Sequence, residues 1–212
     1  MIVLYIDTSS DYLYSGIVIN DELVSSIKKK YEKDLSKEAL PKIIELFDKA
    51  NITPNDLDKI IVVNGPGSFT GIRIGITIAK TIAWALNINI TPISGLTAMS
   101  ISSSGNTYKM PLIDARRGYV YGAIYDKDNN KVVEDTHIEL VALLEKAKGL
   151  DIKAITNNDL DINVEKEKYD PDILKIVKHF ENSEGVNSHL VNPIYLKKTE
   201  AEEKLRKKLD YD

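Results

Sequence analysis

The run Asn64-Gly65-Pro66-Gly67-Ser68-Phe69-Thr70-Gly71 is the segment of this sequence with most to offer chemically. It follows a short apolar stretch, Lys59 to Val63, and precedes a long one rich in isoleucine and alanine. A strand, a glycine turn and then a helix aims backbone N–H groups at an anion. The spacing nevertheless fits neither common nucleotide fingerprint. A Walker A loop needs lysine and then serine or threonine after its last glycine, whereas Gly71 is followed by Ile72 and Arg73. In the dinucleotide pattern G-x-G-x-x-G the last glycine comes sooner, and an acidic residue follows about 20 positions on. Here Gly65, Gly67 and Gly71 are one residue too wide, and the 55 residues from Lys59 to Ile113 hold no aspartate or glutamate.

Two aspartates are the next candidates. Asp7 closes the apolar run from Ile2 and leads into Thr8 and Ser9; Asp114 closes the run from Met110. A carboxylate at a strand end can hold Mg²⁺ through water, or it can accept hydrogen bonds from its own turn. With no lysine or histidine in a matched position, the turn role is favoured. The absence of cysteine removes thiol nucleophiles, disulfides and iron–sulfur ligation. Of the three histidines, His137, His179 and His189, none is i, i+4 to another, as helical metal ligands would be. Ser9 and Ser68 have no matched histidine base. We therefore expect no catalytic residue, no metal and no cofactor.

Charge adds little. The 212 residues carry a net charge of -4. The acid-free block holds only Lys59, Arg73, Lys80 and Lys109, and reads as mostly buried. Near the C-terminus, lysines and Arg206 alternate with Glu200, Glu202 and Glu203, as on a solvated helix face. Polar interruptions at Asn87, Asn89, Pro92 and Gly95 break the charge-free run from Thr81 to Tyr108, so it does not span a membrane. The expectation is a soluble, cytoplasmic chain.

The elements that position these residues come in two similar sets. Ile2–Ile6, Leu13–Ile19 and Leu23–Ile27 read as three strands with a turn at Asn20-Asp21. Met110–Ile113, Tyr119–Tyr125 and Val132-Val133 repeat that order, with a turn around Asp128-Asn129-Asn130. Alternating helices and strands follow each set, which favours an α/β fold. The division is residues 1–104 and 105–212, the second half ending in a charged helix, Thr199 to Leu209, that packs either on its own half or back on the first. Leu35–Ala50 is helical by period, with Leu40, Ile43, Ile44 and Phe47 on one face and Pro41 either kinking it or marking its start. Leu140–Lys148 and Pro171–Glu181 read as helices around a strand at Ile152–Thr156.

Gly71–Leu86 is also helical. One ridge is small throughout (Gly71, Gly75, Ala79, Ala83), two are mostly large (Ile74, Ile78, Ile82, Leu86; Ile72, Ile76, Lys80, Trp84), and only Arg73, Thr77, Thr81 and Ala85 form a partly polar strip. A helix so apolar needs cover on more than one flank. It is either a central buried helix or one at a subunit interface.

Taken together, Asn64 to Gly75 resembles the G-P-G-S-F-T-G-x-R-x-G motif of the bacterial TsaB (YeaZ) family. Ile6-Asp7-Thr8-Ser9 is similar to that family's opening strand and hairpin, Ile113 to Tyr121 to its D-A-R-x-G-x-V-Y motif, and Pro193-Ile194-Tyr195-Leu196 to its P-x-Y-L signature. The resemblance implies an actin-like (ASKHA) fold of two ribonuclease-H-like halves. It implies a non-catalytic relative of the TsaD transferase subunit, which it binds. With the TsaE ATPase, that complex adds threonylcarbamoyl to the adenosine beside the anticodon of tRNA. It further implies a helical bundle with TsaD, or with a second copy when TsaD is absent, drawing on Leu40, Ile43, Ile44, Phe47, Gly71, Ile72, Gly75, Ile76, Ala79 and Ala83. Asp7, Thr8, Ser9 and Asp114 would be vestigial phosphate loops, and tRNA would be met only indirectly. The catalytic relatives' H-x-x-x-H pair has no counterpart at Asp34 to Ala39. The competing reading is a stand-alone ATP- or metal-dependent enzyme of the same fold, a kinase, transferase or glycoprotease.

Overall fold

The computed structural model describes residues 1–31 and 34–197. The expected helix at Thr199–Leu209 lies outside them. Strand β1 (Ile2–Asp7) pairs antiparallel with β2 (Tyr12–Ile19), and β2 with β3 (Glu22–Lys30). The β2–β3 turn places Asn20 and Asp21 at φ 46° and 68°, the left-handed pair that matches strand twist in a two-residue hairpin. Helix α1 (Leu35–Ala50) returns the chain to β4 (Lys59–Val63), and α2 (Phe69–Leu86) to β5 (Ile90–Ile93). β4 is parallel to both β1 and β5. Because helices cover both its faces, every residue of β4 is buried and its sequence shows no alternation. Asn51 and Asn87 end the two helices in the left-handed conformation. α1 begins six residues before Pro41, so the proline does not mark its start.

After α3 (Gly95–Ser102), the second set comprises β6 (Tyr108–Arg116), β7 (Tyr119–Tyr125), β8 (Lys131–Glu139), α4 (Leu140–Lys146), β9 (Ile152–Ile155), β10 (Glu165–Glu167) and α5 (Ile173–His179). The sheets run β3-β2-β1-β4-β5 and β8-β7-β6-β9-β10, which is one topology used twice. This is the actin-like arrangement of two ribonuclease-H-like halves. Sequence periodicity missed β5, α3 and β10. α3 is buried on nearly every side, with Gly95, Leu96, Ala98, Met99, Ser100 and Ile101 all inside, so it has no polar face to create a period.

The layers follow from burial. α1 and α2 cover one face of the first sheet through Ile43, Leu46, Phe47, Ile72, Ile76 and Ala79. α3 and α5 cover the other, where Ala98, Ile101, Ile173 and Ile176 meet Val3, Tyr5 and Val63. α3 also touches the second sheet through Leu96 and Met99, and α4 closes that sheet's far side through Leu143.

Every strand of the first sheet precedes residue 104 and every strand of the second follows it. Residues 173–197 nevertheless pack on the first half. Val186 and Ile90 exchange backbone hydrogen bonds of 2.7 and 3.0 Å, and Ile194 N–H donates to the Asn64 carbonyl at 2.8 Å. Buried Lys59 fastens this strap. Its ammonium donates to the carbonyls of Phe180, Glu181 and Ser183 at 3.1, 2.7 and 2.6 Å, taking up orphan acceptors just beyond α5.

The small ridge of α2 faces inward. A methyl group on Gly71 would stand 2.0 Å from the Thr8 carbonyl oxygen, and one on Gly75 2.3 Å from Thr8 Oγ1. Thr8 Oγ–H donates to the Gly71 carbonyl at 2.7 Å across this contact. Gly71→Ala therefore tests the fold of the monomer. Overpacking at its severe end costs about 3 kcal/mol, and alanine's helix propensity returns about 1 kcal/mol. A net loss near 2 kcal/mol is expected from urea unfolding; a wild-type midpoint would mean that α2 does not sit this close to β1.

Candidate partner-binding face

The glycine loop is spent on the protein's own backbone. A methyl group on Gly67 would lie 2.2 Å from the Ser9 carbonyl oxygen, and the Ser68 N–H donates to that oxygen at 2.7 Å. Ser68 Oγ caps α2 by accepting from the Gly71 N–H at 3.2 Å. The turn after β1 thus lies where a phosphate would sit in an anion-binding loop. Asp7 is buried, and its Oδ1 accepts from the Ser9 N–H at 2.8 Å and from Ser9 Oγ at 2.7 Å. Burial raises its pKa above the usual carboxylate range, against the lowering effect of those two hydrogen bonds. Buried Tyr5 and half-buried Tyr169, whose hydroxyl is enclosed, lie close by, and desolvation followed by neighbouring charges holds both phenols well above their ordinary pKa. Asp114 is exposed, and its Oδ1 accepts from the Arg116 N–H at 2.7 Å. The two aspartates share the turn role and differ in solvation. Among the described residues, no three histidine, cysteine or acidic side chains converge as metal ligands.

Surface is offered elsewhere. Along α2, Phe69, Arg73, Thr77, Thr81 and Trp84 face outward, Phe69 at 56% and Trp84 at 69% exposure. On neighbouring α1, Leu40 at 44% and Ile44 at 51% exposure continue the surface. Large apolar groups left this open mark a contact face when they are contiguous. The partly polar strip read from sequence is the outward one. Ile43, Phe47, Gly71, Ile72, Gly75, Ile76, Ala79 and Ala83, expected at the interface, are corrected: all are buried inside the monomer, where they add no area to a contact with another chain. They point inward because small side chains let α2 approach β1, and large aliphatic ones fill the space beside it. Leu40 and Ile44 alone of that set reach solvent.

Sequence reading passed over Phe69, Trp84 and Tyr195. Trp84 was the available signal, as the only tryptophan in the chain and one placed at the end of a helix. Phe69 and Tyr195 stack at 5.2 Å between ring centroids, and the Arg73 guanidinium lies 3.8 Å over the Phe69 ring. Arg73 Nε–H also donates to Tyr195 Oη at 2.8 Å. By length and mean hydropathy (18 residues, 1.2) α2 could cross a membrane, a possibility the reading of Thr81–Tyr108 did not cover. In the fold its apolar side rests on β1, β4 and α1.

The chain is 37% identical over 157 residues to the tRNA threonylcarbamoyladenosine biosynthesis protein TsaB of Bacillus subtilis (strain 168), covering 71% of this chain and 68% of the relative. The profile of the family described as TsaD, tRNA N6-adenosine threonylcarbamoyltransferase, matches residues 22–183. The chain belongs to the TsaB (YeaZ) family. The TsaB of Escherichia coli (strain K12) is 31% identical over 144 residues, 66% of this chain and 62% of that protein. YeaZ from Pseudomonas aeruginosa shares the fold at a TM-score of 0.79 and 22% identity, over 92% of this chain and 99% of that one. The TsaB family serves tRNA threonylcarbamoyladenosine biosynthesis, and within its fold this chain fills the loop region and leaves a helical face open.

The Asp7 environment gives a pH test. Its folded pKa is raised, so the carboxyl's contribution to stability is full below its unfolded pKa and is lost as pH rises through the folded one. Asp7→Asn keeps an acceptor for Ser9 and carries no charge. It is expected to be at least as stable as wild type at alkaline pH, with the advantage vanishing as pH falls to about 4. Urea melts across pH would read this; a variant less stable at alkaline pH would show instead that the fold favours the charged form.

Proposed function

We propose that this chain is a non-catalytic subunit that binds a TsaD-type transferase through the outward face of α1 and α2, activating it for threonylcarbamoyl transfer to the tRNA adenosine beside the anticodon. The observation that carries the reading is the exposure of four large apolar side chains, Leu40, Ile44, Phe69 and Trp84, on two adjacent helices. Two such helices against two from a partner would form a bundle of standard size, about 800 Å² per side. When the transferase is absent, the same face takes a second copy of the chain. A TsaE-type ATPase joins the assembly, tRNA is met only through the partner, and the complex works in the cytoplasm. The loop region supports the absence of catalysis, since Gly67 and Ser68 press on Ser9 and the Asp7 carboxyl faces its own turn.

Titration of the full chain with a purified TsaD-type subunit tests this. We expect a stable complex at micromolar concentration. Trp84→Glu should weaken it at least thirtyfold, a hot-spot loss of about 2 kcal/mol, with no change in melting temperature. An affinity unaffected by Trp84→Glu, or no complex at all, would remove the reading. Binding of ATP–Mg²⁺ to the isolated chain in a calorimeter would favour the enzyme alternative.

A further inference from the structure

Among the described residues, eight other than glycine sit in the left-handed conformation. Six are asparagine or aspartate, whose short polar side chains tolerate it. The other two are neighbours, Arg116 at φ 68° and Arg117 at φ 56°, and Gly118 follows at 78°. They form the turn between β6 and β7, where Arg116 stands opposite Tyr119 and the register shifts between Asp114 and Arg116. The chain has four arginines among its 28 basic residues. Two of the four thus occupy adjacent positions that backbone preference would give to asparagine or glycine.

The turn is held from behind. Asp114 Oδ1 accepts from the Arg116 N–H at 2.7 Å, and Asn158 Oδ1 accepts from the Asp114 N–H at 3.0 Å. The Gly118 carbonyl accepts from the Leu140 N–H at 2.9 Å. Tyr119 stacks on His137 at 4.9 Å between ring centroids, and its hydroxyl donates to Glu139 at 3.0 Å. Both arginine side chains are exposed, and among the described residues neither guanidinium makes an ion pair or hydrogen bond. Other exposed cations share that condition, Lys127 among them. What sets the arginines apart is a backbone fixed by hydrogen bonds that carries two planar forks side by side. Next to Leu140, which anchors the turn, Val141 is 70% exposed.

We propose that the β6–β7 turn is a second contact surface, separate from the α1–α2 face, for an acidic peptide segment of a partner protein. Arg116 and Arg117 take its carboxylates, and Val141 takes an apolar side chain of the same segment. Arginine suits this role because its fork meets a carboxylate with two parallel hydrogen bonds. A backbone already fixed loses little freedom on binding. The neighbouring charges select the occupant, since Asp114, Glu139 and Asp159, the residue after Asn158, flank the turn and are exposed. A nucleic-acid strand running past it would carry phosphates over these carboxylates. A peptide with one or two acidic groups meets the guanidiniums alone. Every residue of this surface belongs to the second half, which leaves α1 and α2 free for another partner.

Fluorescence anisotropy at low salt tests this on the full-length chain, with a short labelled peptide of alternating glutamate and leucine as probe. The same peptide with glutamine for glutamate, and a single-stranded oligouridylate, serve as comparisons. The acidic peptide is expected to bind with a Kd on the order of 100 μM, and the glutamine peptide far more weakly. Arg116→Gln and Arg117→Gln should each weaken binding about tenfold, the loss of a hydrogen bond to a charged group. Val141→Ser should weaken it about threefold. Lys127→Gln, at the far end of the same sheet, and Trp84→Glu, on α2, should leave it unchanged. All these side chains are exposed, so melting temperatures should not move. No binding of the acidic peptide, binding indifferent to the arginines or lost equally in Lys127→Gln, or tighter binding of the oligouridylate overturns the proposal. Complex formation with the transferase, measured separately, is untouched by any of these outcomes.

Discussion

The arrangement depends on how closely α2 can approach the turn that follows β1. Gly71 and Gly75 carry no side chain where Thr8 passes, and Gly67 carries none where Ser9 passes. That contact fixes the rotation of α2 about its axis. Once the small ridge faces β1, Ile72 and Ile76 must fill the space beside it, and Arg73, Thr77, Thr81 and Trp84 must face out. The inward fit and the outward surface are two consequences of one packing decision.

The same contact accounts for what the loop does. A glycine turn ahead of a helix can cradle an anion only if its N–H groups open onto free space. Here the Ser68 N–H is directed to the Ser9 carbonyl and the Gly71 N–H to Ser68 Oγ. Asp7, which in such a fold could face a phosphate or metal, has Ser9 as its partner and sits in a buried setting that disfavours its charge. Backbone and hydroxyl groups of the protein itself fill the space in front of the loop.

The second half contributes support from a distance. α5 leaves the second sheet and covers the inner face of the first, and Lys59 ties the chain beyond it to β4 through three carbonyls. A buried ammonium with burial lowering its pKa is tolerable because those carbonyls accept its hydrogen bonds. The strap then runs along the flank of α2 and delivers Tyr195 to Phe69 and Arg73. Residues at the far end of the sequence in this way shape the edge of a surface built by the first half.

Much was legible from the sequence alone, because local physics carries it. Apolar runs ending in aspartate, asparagine turns and a repeated strand order marked the duplicated sheets, and the spacing of Leu40, Ile43, Ile44 and Phe47 marked α1. The motif around Gly65 to Gly75 was specific enough to indicate the family. Burial could not be read in the same way. An almost wholly apolar helix has no polar stripe strong enough to show which side is covered, so the small ridge suited a partner helix as well as its own sheet. α3 left no periodic trace, being enclosed on nearly all sides. Only the tertiary structure decided that Gly75 meets Thr8 while Trp84 meets solvent, because that choice depends on contacts between residues 67 positions apart, which no local pattern encodes.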